Sequence, residues 1–201
     1  MVDRPTLDAY DAHAVQYAQD WRDQAAPEDM YALLQRHFLP GPTADVGCGA
    51  GRDTAWLASH GFDVRGYDAS VALLDEARRR YRGLTFEHAA LPALAGIPSG
   101  AFRNVLCETV VMHLAPAEAE AATARLADLL MPGGTLYLSW RVAEHGVSRD
   151  ARGRLYTPLD PARMQAALGA GMRVIDAHEV VSASSGKRVH RLIARKAGAD
   201  A

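Results

Sequence analysis

From Ala44 to Asp53 the chain reads Ala-Asp-Val-Gly-Cys-Gly-Ala-Gly-Arg-Asp, with three glycines at alternate positions after a short apolar run. Glycine lets a backbone turn sharply and admits a ligand where a Cβ would intrude. Thr43 to Val46 reads as a strand and about Asp53 to His60 as a helix, so the segment is a strand-turn-helix unit. In open α/β sheets that turn sits at the edge where ligands bind. The rest of the chain must therefore supply a buried parallel sheet.

The flanking pattern does so. A helix is expected from Pro27 to Phe38, with Met30, Leu33, Leu34 and Phe38 at helical spacing, and Pro40-Gly41-Pro42 ends it. Phe62–Tyr67 reads as a strand, Ser70 as an N-cap and Val71–Arg80 as a helix whose closing arginines suit the helix dipole. Leu84–Phe86 and Asn104–Cys107 follow as strands, then a helix over Pro116–Leu130. Met131-Pro132-Gly133-Gly134 reads as a turn before a strand over Thr135–Trp140. Residues 142–158 read as a long polar loop, Pro161–Leu168 as a short helix, and Val174–Val181 with Val189–Ala194 as a closing antiparallel hairpin. Strands alternating with helices imply a mostly parallel sheet covered on both faces, its C-terminal strand ends along one edge.

Asp68 closes the second strand 21 residues after Gly47, where a carboxylate can accept bonds from both hydroxyls of a ribose. A dinucleotide site wants Gly-x-Gly-x-x-Gly, its pyrophosphate resting on the helix N-terminus. Here that third glycine position is Arg52, and Asp45 is an awkward neighbour for a pyrophosphate. For a sulfonium cofactor with a free ammonium group Asp45 is welcome. The spacing favours S-adenosylmethionine (SAM) over NAD.

Asp-x-Gly-x-Gly-x-Gly resembles motif I of the class I SAM-dependent methyltransferases, and the resemblance extends over roughly residues 8–141. Gly66-Tyr67-Asp68-Ala69-Ser70 looks like the family's ribose-binding strand end, and Phe86-Glu87-His88-Ala89-Ala90-Leu91 is similar to its adenine-flanking segment. Residues 105–114, Val-Leu-Cys-Glu-Thr-Val-Val-Met-His-Leu, resemble the fourth-strand motif of small-molecule members, including quinone-biosynthesis types. Leu130–Leu136 looks like the post-helix turn. Arg103 stands where the family often has Asp. The resemblance implies a Rossmann-like three-layer α/β sandwich with a mostly parallel seven-stranded sheet and an antiparallel C-terminal hairpin. It also implies a methyltransferase domain over 27–201 and 1–26 as an N-terminal lid. Residues 8–22 carry aromatics but little continuous apolar surface, so they are expected to dock weakly, with aromatic packing against the first helix as the alternative.

Cofactor contacts are expected from Asp45, Gly47, Gly49, Gly51 and Arg52 around the turn, and from Asp68 and Ala69 at the ribose. His88, Ala90 and Leu91 are expected beside the adenine, Cys107 at the fourth strand end, and Tyr17 from the lid. His113 is the candidate general base, with the alternative of a loop histidine bonding backbone; Glu108 is the second candidate, or a partner for the cofactor's ammonium. Tyr10, Trp21 and Arg141 are the candidate acceptor contacts, Arg141 as a handle for a carboxylate or phosphate. Arg154 reads as a surface arginine.

The remaining constraints are exclusions. A formal net charge of −2 without basic runs gives no argument for a nucleic-acid partner. No stretch approaches the ~18–20 apolar residues of a membrane helix, and Met1-Val2-Asp3-Arg4-Pro5 lacks the apolar core of a signal peptide. Cys48 and Cys107 are too few for a disulfide scaffold and are expected as buried thiols; no metal site is expected. The expected protein is a cytoplasmic monomer or homodimer acting on a small molecule. The alternatives are an NAD-dependent oxidoreductase and a non-catalytic SAM-binding module.

Overall fold

The computed structural model describes residues 3–143 and 146–198; the chain ends, including Met1 and Val2 of the leader reading, and residues 144–145 of the 142–158 loop lie outside them. Two helices not expected from the sequence come first, α1 (Arg4–Ala12) and α2 (Ala14–Asp23). They are followed by α3 (Glu28–His37), β1 (Pro42–Val46), α4 (Arg52–Ser59), β2 (Asp63–Asp68), α5 (Val71–Arg80) and β3 (Thr85–His88). Then come β4 (Phe102–Cys107), α6 (Pro116–Asp128), β5 (Leu130–Arg141), β6 (Ser148–Arg149), β7 (Leu155–Tyr156), α7 (Pro161–Ala167), β8 (Met172–Val181) and β9 (Arg188–Lys196).

Seven strands form one sheet in the order β3-β2-β1-β4-β5-β9-β8. The first five are parallel, and β9 and β8 close the sheet antiparallel, as expected. Successive side chains on a strand point to opposite faces, and the core follows that rule. Val105 and Cys107 of β4, with Leu136 and Leu138 of β5, join the apolar cluster under α6 and α7. Leu106 and Tyr137, from the same strands, join the cluster under α3 and α4. The result is a three-layer sandwich.

Local chemistry sets the ends of several elements. Ser70 caps α5 by accepting from the Leu73 amide at 3.1 Å, and Asp3 caps α1 by accepting from Thr6. Met131–Gly134 does not separate α6 from β5 as a free turn. It is a bulge inside β5, which begins at Leu130: Phe102 pairs Leu130, yet Asn104 pairs Thr135.

Two expectations are corrected. The polar 142–158 segment contains a small antiparallel hairpin, β6 with β7. Residues 8–22, expected to dock weakly, bury Ala14, Tyr17 and Ala18 with Ala50 and Leu73 in a cluster of their own. Among the described residues no helix is long and apolar enough to cross a membrane.

Candidate functional site

The register of β1 against β2 and β4 sets Val46 opposite Tyr67 and Asp45 opposite Leu106, so the three strands end along one sheet edge. The turn after β1 is then pinned to β2. The Gly47 and Cys48 amides donate to the Tyr67 carbonyl at 2.7 and 3.0 Å, and the Gly49 amide donates to Asp68 Oδ2 at 2.8 Å. Gly47 has φ +77°, and a Cβ there would strike Val110; Gly49 has φ +54°, and a Cβ there would lie 2.8 Å from the Trp21 ring. Both positions are restricted to glycine by backbone and by space.

One cavity runs along this edge. Gly47, Gly49, Arg52, Asp68, Ala69, Leu91, Glu108, His113, Arg141, Tyr10 and Trp21 all line it. Of the expected contacts, Gly51, His88, Ala90, Cys107, Asp45 and Tyr17 are not in its wall. His88 is exposed at the end of β3. Cys107 points into the core, and both cysteines are free and buried. Tyr17 is buried behind Tyr10 and Trp21, its ring centroid 5.1 and 5.5 Å from theirs. Asp45 lies beneath the turn, accepting from Thr54 Oγ1 at 2.6 Å. Burial pushes its carboxyl up to about 7.

At the ribose-type position, each Asp68 oxygen takes one backbone amide, Gly49 on Oδ2 and Ser70 on Oδ1, both at 2.8 Å. A carboxylate oxygen has two lone pairs, so each keeps an acceptor site for a hydroxyl. Burial raises the Asp68 carboxyl, against the lowering effect of those amides. Glu108 follows β4, half-buried and accepting a hydrogen bond from Ser139 Oγ, and desolvation raises its carboxyl too. Arg52 is held by Asp53 at 2.8 and 3.1 Å.

The far end of the cavity is built by the N-terminal helices and the β6–β7 hairpin. His113 Nδ1 lies 2.6 Å from the Leu155 carbonyl, which can only accept, so Nδ1 carries the proton. Nε2 then accepts from the Tyr10 hydroxyl at 3.0 Å. Burial lowers His113 to about 4 and raises Tyr10 to about 12, so both are neutral near pH 7. In this structure His113 Nε2 is an acceptor already in use by Tyr10. The Tyr10 oxygen also accepts from Arg154 Nη1 at 3.3 Å. Arg154, expected on the surface, lines the cavity and pairs with Asp150 at 2.7 Å.

Sequence reasoning missed Tyr156, whose ring lies 5.4 Å from Arg141 Cζ and 5.7 Å from Arg154 Cζ. It also missed the cavity wall from Asp3, Thr6, Leu7 and the Ser182–Ser185 turn. These contacts join distant segments: Arg149 grips Asp3 with two 2.8 Å bonds, and the Leu155 amide donates to Thr6 Oγ1 at 2.8 Å. No local signal announces such pairs.

A glycine cradle after β1, a carboxylate at the end of β2 and this strand order define a Rossmann-like methyltransferase domain. Residues 44–134 match a family model described as a methyltransferase domain. Over 146 residues the chain is 34% identical to the protein-L-isoaspartate O-methyltransferase of Chromobacterium violaceum, covering 70% of this chain and 63% of that protein. It is 33% identical to the ubiquinone biosynthesis O-methyltransferase of Methylococcus capsulatus, covering 66% and 60%. The chain thus spans about three-fifths of the length of these curated relatives. Among solved structures it is similar to the Burkholderia thailandensis 1,6-didemethyltoxoflavin-N1-methyltransferase, with a TM-score of 0.74, 23% identity, and 96% and 88% of the two chains covered. The match over residues 44–134 and these relatives support a class I SAM-dependent methyltransferase. The NAD-dependent alternative is not favoured.

Proposed function

We propose that this protein transfers a methyl group from SAM to a small molecule. The observation that carries this reading is one cavity lined both by Gly47, Gly49 and Asp68 and by Tyr10, His113 and Arg141. The bound cofactor supplies a methyl group on a sulfonium leaving group. What this chain adds is proximity, alignment and exclusion of water.

In this reading Asp68 receives the ribose hydroxyls on its two remaining acceptor sites, and the Gly47–Gly51 turn lies under the amino-acid end. Glu108, half-buried on the cavity wall, meets the ammonium group, and Asp45 acts on the same charge from below the turn. Leu91 and Ala69 flank the base, with His88 and Ala90 outside that contact. His113 is a positioning residue: its Nε2 holds Tyr10 against the acceptor space. Residues 1–26 act as a lid held by specific bonds and opened by breaking them. We further read the protein as cytoplasmic, a monomer or homodimer, with no nucleic-acid partner.

The test is transfer of labelled methyl from SAM into a small-molecule metabolite extract, with Asp68→Ala as the control. Label in a small molecule with wild type, and its loss in the variant, supports the reading. Tight SAM binding without transfer to any extract component would make the chain a SAM-binding module instead.

A further inference from the structure

The charged groups of the cavity wall are almost all paired. Asp3 is held by Arg149, Arg52 by Asp53, Arg154 by Asp150, Asp68 by two amides, and Glu108 by Ser139. Arg141 is the exception. Among the described residues no carboxylate pairs with it, and its guanidinium rests only against the Tyr156 ring.

Its place is nevertheless well determined. It ends β5 opposite Val189, and its amide sits 3.2 Å from Met112 Sδ. The neighbours cannot neutralise it: Tyr10 and His113 are bonded to each other, and Tyr156 offers only a phenol. Met112 adjoins Arg141, and Leu7, Val110 and Leu114 add further apolar wall to the same cavity.

We propose that the methyl acceptor is a carboxylate monoanion, its carboxylate received by Arg141 and its apolar body lying along Val110, Met112 and Leu114. This rests on the methyltransferase reading and names the substrate class for it. A guanidinium fork suits both carboxylate and phosphate. A phosphate monoester, however, carries about −1.5 to −2 at neutral pH. This cavity offers one unspent cation and holds Asp68 and Glu108 in the same wall, so a single negative charge is the better match.

Calorimetric titration of the protein loaded with S-adenosylhomocysteine tests this, using benzoate, benzamide and phenyl phosphate as probes on wild type, Arg141→Gln and Arg141→Lys. Benzoate should bind wild type roughly tenfold or more tighter than benzamide, and no more weakly than phenyl phosphate. Arg141→Gln should lose the benzoate preference with S-adenosylhomocysteine affinity unchanged, and Arg141→Lys should keep part of it. Absence of benzoate binding to loaded wild type, equal affinity for benzoate and benzamide, a preference for phenyl phosphate, or a benzoate preference surviving in Arg141→Gln would each overturn the proposal. Failure of S-adenosylhomocysteine to bind wild type at all would instead remove the methyltransferase reading, and this proposal with it.

Discussion

The Tyr10 hydroxyl donates to His113 Nε2 across 3.0 Å, joining the first helix to the turn after the fourth strand. Because His113 Nδ1–H is committed to the Leu155 carbonyl, the ring has one orientation and one free lone pair, and Tyr10 takes it. Tyr10→Phe and His113→Ala should therefore each lower methyl transfer, and the double variant should be little worse than the poorer single one. Residues in direct contact couple by roughly 0.5–3 kcal/mol. If His113 acted independently as a base, the two losses would multiply; a double-mutant cycle on kcat/KM decides.

Asp68→Ala should weaken SAM binding by about 1–3 kcal/mol, the loss expected for hydrogen bonds to a charged group. The variant also frees the Gly49 and Ser70 amides. Circular dichroism must show the fold intact before the affinity is read. An unchanged affinity in a folded variant would move the ribose elsewhere.

Asp45 gives a stability prediction with a definite sign. Burial raises its folded carboxyl to about 7 from an ordinary 3.8. Between these values the unfolded chain has released the proton and the folded chain keeps it, so this group's contribution to stability falls as pH rises. Without cofactor, Asp45→Asn should gain Tm relative to wild type as pH goes from 4 to 7. A Tm difference that does not change over that window would mean Asp45 titrates normally. Adding SAM should narrow the gap, since a nearby cation favours the carboxylate.

Thr109, directly after Glu108, has φ +54°, a left-handed conformation that is an outlier for a β-branched residue. Such strain costs about 1–3 kcal/mol, and Thr109 lines the cavity. Thr109→Gly should relieve part of it and raise the midpoint of urea unfolding. A lower midpoint would mean the threonine side chain contributes more than its backbone costs.

Legibility in the sequence followed the range of the interactions. Helix α5 is found at its expected bounds because Ser70 and the arginines are local signals, and the strands are found within a few residues because alternation and glycine punctuation are local too. Helices α1 and α2 went unread: each is short and polar, α2 holding because Tyr17 and Ala18 pack against Ala50 and Leu73, and α1 because Tyr10 bonds His113 and Asp11 accepts from Ser70 Oγ. Strands β6 and β7 have two residues each, too few to show a period. Of the cavity wall, Asp68, Gly47 and Gly49 were readable from spacing. Arg154 and Tyr156 were not, because their partners lie far away along the chain.

Titration of the wild-type protein with S-adenosylhomocysteine and, separately, NAD is the most direct test of the central claim. The glycine spacing, Asp68 and the family match predict one S-adenosylhomocysteine bound per chain and no NAD binding. Binding of NAD without S-adenosylhomocysteine would contradict the account.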